Sequence, residues 1–192
     1  SSVLCYNLIC IQQVRFEILT AQTPDFLLHR GYRHQLCTLP LCIYLQRIPQ
    51  ARRPKFCFTS SALWRGYVAT WEIRDGALWL VDIDGLVETD HGLEEARLEN
   101  LFPWRSPPIK ATWMTGELRC PEGRRMVTDN RGFASIYERD RLIDIRRGEI
   151  TDEFLRINPP GEVIYAINPD GSRIFRSNVN GFPETFTDPY GP

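Results

Sequence analysis

WRGYVATWEIRDGALWLVDIDG, residues 64–85, is the stretch on which the reading of this chain turns. Asp75-Gly76 lies between two apolar runs, and a type I′ turn needs positive φ at both central residues, which Asp followed by Gly tolerates well. With that turn, Ile73 faces Leu78, Trp71 faces Leu80, and Tyr67 and Ala69 extend the same side. This is the core face. The other face sets Val68, Thr70 and Glu72 against Trp79, Val81 and Ile83, apolar enough to call for cover by another element or a partner.

Outward from this hairpin the same signals recur. Phe26–His29 and Tyr32–Cys37 predict a second hairpin turning at Arg30-Gly31, and Arg15–Leu19 is a short β-like run. Thr38 is placed to cap a helix with Pro40 in its first turn and Leu41, Tyr44, Leu45 and Ile48 on one stripe, stopped by Pro49. Downstream, Asp90 is placed to cap a second helix with Glu94 and Glu95 in its first turn, ending before Pro103. Ala111-Thr-Trp113 repeats Ala69-Thr-Trp71 and suggests a second, similar hairpin beside the first. Pro121-Glu-Gly123 reads as a turn, 124–128 as a strand, 132–145 as a long alternating stretch, and Asn168-Pro-Asp-Gly171 as the turn of a last hairpin. The predicted fold class is mainly β, or α+β: an antiparallel sheet built of consecutive hairpins with two short helices. It forms one domain over 1–179, with a core of about 15–145, a C-terminal hairpin at 162–176 as an addition, and a Pro/Gly-rich tail at 180–192 that hangs loose or drapes over the surface.

The chain has 192 residues, 43% of them hydrophobic, and a net charge of −1. That length buries a proper core, and that charge speaks against a dedicated nucleic-acid binder, which neutralises phosphates with a basic surface. Of the 23 basic residues only Lys55 and Lys110 are lysines, a bias that fits a GC-rich bacterial genome. Six cysteines at 5, 10, 37, 42, 57 and 120 form no C-x-x-C and no zinc-finger spacing, so they read as buried, reduced thiols of a cytoplasmic protein. Val3–Ile11 is apolar but too short to span a bilayer and lacks a basic flank, so it reads as a buried strand.

The Trp64–Ile73 run WRGYVATWEI, the Asp-Gly-x-Leu-x-Leu after it, Leu101-Phe-Pro103, Ala111-x-Trp113 and Gly116-Glu-Leu118 together resemble a group of uncharacterised bacterial single-domain proteins. The likeness covers about residues 30–145. It implies a bacterial cytosolic protein and carries over no activity and no catalytic residue.

Chemistry-bearing residues are scattered. Asp82 and Asp84 share a strand face with His91 following, a set that could hold Mg²⁺ or Mn²⁺ in a small metal-dependent hydrolase, although the spacing matches no calcium loop. His29 and His34 flank a turn with Cys37 nearby, but a Cys–His nucleophile pair needs both on one face, and a three-residue step along a strand parts His34 from Cys37. Phe58-Thr-Ser-Ser61 resembles a fragment of the strand serine motif of ADP-ribosyltransferases, which would make the chain a toxin with Arg30 or Arg33 as its arginine; no Glu-x-Glu precedes a later strand to complete it. Trp64-Arg65 and Trp104-Arg105 place the same pair before the two ATW runs, and aromatic plus Arg is the composition of protein-interface hot spots. The leading expectation is therefore a non-enzymatic protein-binding module without a cofactor, an immunity-type or adaptor protein of a bacterial conflict or secretion system. It engages another protein, not a nucleic acid or a membrane, through Trp64, Arg65, Trp79, Trp104 and Arg105.

Overall fold

Three two-residue turns frame the molecule, Arg30-Gly31, Asp75-Gly76 and Arg147-Gly148, each with positive φ at both positions (51° and 80°, 52° and 70°, 51° and 85°). This is the type I′ geometry, whose twist matches that of the strands it joins. In a computed structural model, residues 20–158 are described, together with the backbone of 164–167 and 173–176. The expected strand at Val3–Ile11, the run at 15–19 and the tail at 180–192 lie outside the described residues.

In chain order, the first turn joins β1 (Asp25–His29) to β2 (Tyr32–Leu36), and α1 (Pro40–Arg47) and β3 (Lys55–Phe56) follow. The central hairpin is β4 (Tyr67–Arg74) and β5 (Ala77–Thr89), succeeded by β6 (Gly92–Glu95), α2 (Leu98–Leu101) and β7 (Ile109–Lys110). Then come the long strands β8 (Gly116–Val127), β9 (Ile136–Arg146) and β10 (Glu149–Ile157). Finally β11 (Ile164–Ile167) pairs with β12 (Arg173–Arg176) in a separate two-stranded sheet, as the last hairpin signal predicts. The fold is mainly β with two short helices, and the main sheet is mostly antiparallel.

Main-sheet order is β2-β1-β4-β5-β10-β9-β8, with β3, β6 and β7 also on β5. The antiparallel pairings of β3, β7 and β10 with β5 join strands that are not consecutive in the chain, and β1 runs parallel to β4, with Leu27 beside Trp71. The ends of the order meet, because the Cys37 amide donates to the Arg119 carbonyl (2.9 Å), and the Thr38 hydroxyl donates to the Glu117 carbonyl (3.3 Å) and accepts from the Arg119 amide (2.9 Å). Thr38 thus rolls up the sheet instead of capping α1, whose N-cap is Leu39 without a side-chain bond.

The inward face is the core. Leu27, Leu36, Ala69, Trp71, Leu78, Leu80, Leu118 and Ile143 are fully buried there. Leu41 of α1 and Leu98 and Leu101 of α2 join the same cluster, so both helices cover the Trp71 side. Trp113, Phe102 and Tyr44 stack above it, with Trp113 and Phe102 at 5.7 Å and 16°.

Four local expectations are corrected. A bulge between Thr70 and Trp71 on one strand and Asp82 and Leu80 on the other makes Val81 the extra residue, so Ile83 turns inward opposite Ala69. Without it, strict alternation from Leu80 would drive Asp82 and Asp84 into the core at the cost of desolvating two carboxylates. Glu94 and Glu95 belong to β6, paired with Val87 and Leu86, since Thr89 and Gly92 close a tight hairpin before any helix begins. Pro121-Glu-Gly123 lies within β8 at a register shift, where Gly123 has φ 81° and Arg124 donates its amide to the Glu138 carboxylate (3.0 Å). The second ATW run is a turn: Trp113 donates its indole N–H to the Pro40 carbonyl (2.8 Å) and pins α1 in place.

Candidate functional site

The expected partner surface is dispersed. Arg65 is not on it, a correction with a plain cause: the side chain lies inside, 2% exposed, and donates to Asp25, 0% exposed, at 2.8 Å. Trp64 is half-buried at the end of the 3-10 turn Ser61–Leu63. Trp79 points outward, away from Trp71, and is half-buried with Arg74 (5.3 Å) and Lys110 (5.9 Å) against its ring. Among the described residues no ring contact joins Trp64, Trp79 and Trp104.

Trp104 and Arg105 are exposed, Trp104 at 69%, on the loop after α2. The loop is held at its root. Phe102 is buried in the aromatic stack, the Arg105 amide donates to the Phe102 carbonyl (3.0 Å), and Pro103, Pro107 and Pro108 restrict the chain between. Burial pushes the Tyr44 phenol above its ordinary value while the charge of Arg105 works against it. Glu99, Phe102, Trp104, Arg105 and Pro107 line a shallow depression there.

Asp82 and Asp84 are exposed opposite Thr70 and Val68, and His91 sits beyond Thr89 in the next turn, its amide bonded to the Thr89 hydroxyl (3.1 Å). Among the described residues no group of three His, Cys, Asp or Glu side chains is arranged to hold a metal ion. Cys37 does not meet His34: burial pushes its thiol up to about 11 and that of Cys120 up to about 12, leaving both as unreactive thiols. Cys42 is disulfide-bonded, which corrects the expectation of six reduced cysteines. Phe58-Thr-Ser-Ser61 is not a strand, Arg33 stacks on Phe26 (3.5 Å), and Arg30 pairs with Glu153.

Two charged clusters on the inward face were not legible in the sequence as sites. At one end Asp25 accepts from Arg65, from the Ala69 amide (3.1 Å) and from the Trp71 indole (3.1 Å); burial raises its pKa, and those three donors oppose the rise. Nε and Nη1 of Arg65 and the hydroxyl of Tyr67 are buried there without a hydrogen-bond partner. At the other end Glu153 accepts from Arg141 (2.6 Å) and Arg30 (2.8 Å) and bonds His29 (3.1 Å), while Arg141 also donates to Glu122 (2.7 Å), with His34 at 3.7 Å. Burial alone would raise Glu153, but the bonds from Arg141 and His29 win and hold it below the ordinary glutamate range. Burial lowers His34, with the neighbouring Glu122 pulling the other way. The available signal was parity, since His29, His34, Glu122 and Arg141 all occupy inward positions of their strands.

Comparison with protein-family models, curated proteins and solved structures finds no match for this chain. What the architecture defines is a rolled β-sheet protein with an exposed Trp104 on a loop rooted in the core by Phe102. Among the described residues no helix is long and apolar enough to cross a membrane.

Proposed function

We propose that this protein works by binding another protein, with Trp104 as the anchor of the contact and Arg105 at its rim. The observation that supports this is a Trp that is 69% exposed on a loop rooted in the core by Phe102 and stiffened by three prolines. A large aromatic held in place loses little conformational freedom on binding, so its apolar area converts efficiently into affinity. Arg105 adds directional hydrogen bonds at the edge of the same depression. Such a contact fits the immunity-type or adaptor role expected from the sequence. The Cys42 disulfide weighs toward an oxidising compartment over the reducing cytosol.

The test is affinity capture from the source organism with the parent protein and with Trp104→Ala combined with Arg105→Ala. Both residues are exposed, so the variant should melt with the parent while losing the partners the parent retains. Recovery of the same partners by both proteins would remove the loop from consideration.

A further inference from the structure

β10 is joined to β5 only at its start. Glu149 pairs with Ala77, the Leu78 amide donates to the Gly148 carbonyl (2.9 Å), and the Ile150 amide donates to the Gly76 carbonyl (2.8 Å). Beyond that, among the described residues, Asp152–Ile157 pairs with β9 alone, after an irregularity at Thr151. The Asn158 amide donates to Glu138 on the β9 side (2.9 Å), and N–H groups alternate sides along a strand. The amides of Glu153, Leu155 and Ile157 therefore point to the open edge. Phe154, Leu155 and Ile157 are 44%, 43% and 60% exposed on it, an apolar edge of the kind that recruits another strand.

We propose that this edge docks antiparallel on the same edge of a second copy of the chain, with the two-fold axis at Phe154. A two-fold axis perpendicular to a sheet keeps inward residues opposite inward ones and outward opposite outward, so the axis passes through a residue. Centring on Glu153 sets two glutamates face to face. Centring on Leu155 sets Arg156 against Phe154 and Glu153 against Ile157. Centring on Phe154 sets Asp152 opposite Arg156 twice, an arginine whose Nη2 already donates to Asp140 of its own chain (2.8 Å) and which would bridge the two carboxylates, brings the two Phe154 rings together, and puts Leu155 opposite Glu153. That register also matches the hydrogen-bonding parity, because Glu153 and Leu155 are edge-facing residues and form the bonded pairs, while Phe154 falls at a non-bonded pair, where side chains approach most closely. The Glu153 amide donates to its neighbour's carboxylate at Asp152 Oδ1 (2.8 Å) in the single chain; docking trades that bond for a strand partner and frees Asp152 for Arg156 of the other copy. The interface is short, so the dimer is concentration-dependent.

Sedimentation equilibrium of the full chain, from micromolar to sub-millimolar, tests this. The parent should self-associate to a dimer. Phe154→Glu, which brings like charges to the axis, and Leu155→Pro, which deletes an edge amide but no bond to β9, should each raise the dissociation constant at least about tenfold. Should Leu155→Pro disturb folding, Asp152→Arg, which opposes Arg156 with a like charge, takes its place. A parent that stays monomeric throughout overturns the proposal. So does a dimer untouched by these changes, or one abolished by Trp104→Ala instead.

Discussion

Asp25 and Glu153 are carboxylates on inward positions of one rolled sheet, and each meets an arginine at 2.8 Å or less, yet one cluster is dry and the other wet. Arg65 and Asp25 are 2% and 0% exposed, whereas Glu153 and Arg141 keep 15% and 23%. The difference lies in what surrounds the charges. At the dry end donors outnumber acceptors, with Arg65 Nε, Arg65 Nη1 and the Tyr67 hydroxyl already unpaired, so Asp25 is the acceptor for the whole corner. At the wet end the bonds are shared, with Arg141 between two glutamates and Glu153 among three donors, and water reaches both. A dry pair is therefore costly to break from one side, and a wet network tolerates loss of a member.

The largest expected effect is at the dry end. Asp25→Ala strips the acceptor from a buried guanidinium, an indole N–H and an amide at once, and should cost about 3–5 kcal/mol in chemical denaturation. Changing Arg65→Met in the same chain should recover part of that loss. A denaturation midpoint close to the parent's would end the distinction between the two clusters.

Next comes the backbone beside each cluster. Gly66 follows Arg65 with φ 75°, and a Cβ there would lie 2.5 Å from the Cys57 carbonyl oxygen, whereas Gly31 in the turn beside His29 has φ 80° and open space around it. Gly31→Ala meets only the left-handed backbone cost, about 1 kcal/mol. Gly66→Ala meets that cost and a backbone clash, and should lose about 3 kcal/mol or more. Equal melting shifts for the two variants would show that the dry end relaxes as readily as the turn.

The smallest effect is at the wet end, and pH resolves it. Glu153→Gln should cost about 1 kcal/mol near neutral pH, the scale of a charged hydrogen bond discounted for solvent access. Because the folded state holds Glu153 below its unfolded value, the parent's advantage is full above about pH 5 and is lost as pH falls through the folded value. Parent and variant stabilities measured from neutral pH downward should converge on the acid side. Curves that stay parallel would show that Glu153 is not held by charge.

The sequence legibly carried what is local. Asp75-Gly76 and Arg30-Gly31 announced their turns, and the same X-Gly pattern at Arg147-Gly148 was available. The Leu41–Ile48 stripe announced α1. Of the candidate surface, Trp104 and Arg105 stand where a contact could use them, while Arg65 went inside, because whether an Arg beside a Trp faces water depends on an Asp forty positions earlier.

By itself, then, the sequence determined the hairpins, the Trp71 core face and the mainly β class, because a turn type and a period of two act over a few residues and fix which neighbours face each other. Only the tertiary structure decided the parallel join of Leu27 to Trp71, the closure of Cys37 and Thr38 onto Arg119, and the meeting of His29 with Glu153. Each of these brings together residues far apart in the chain, and each depends on how the whole sheet twists and rolls. The bulge at Val81 belongs with them. Alternation runs through it unmarked, and only the cost of burying Asp82 and Asp84 in an assembled core selects it.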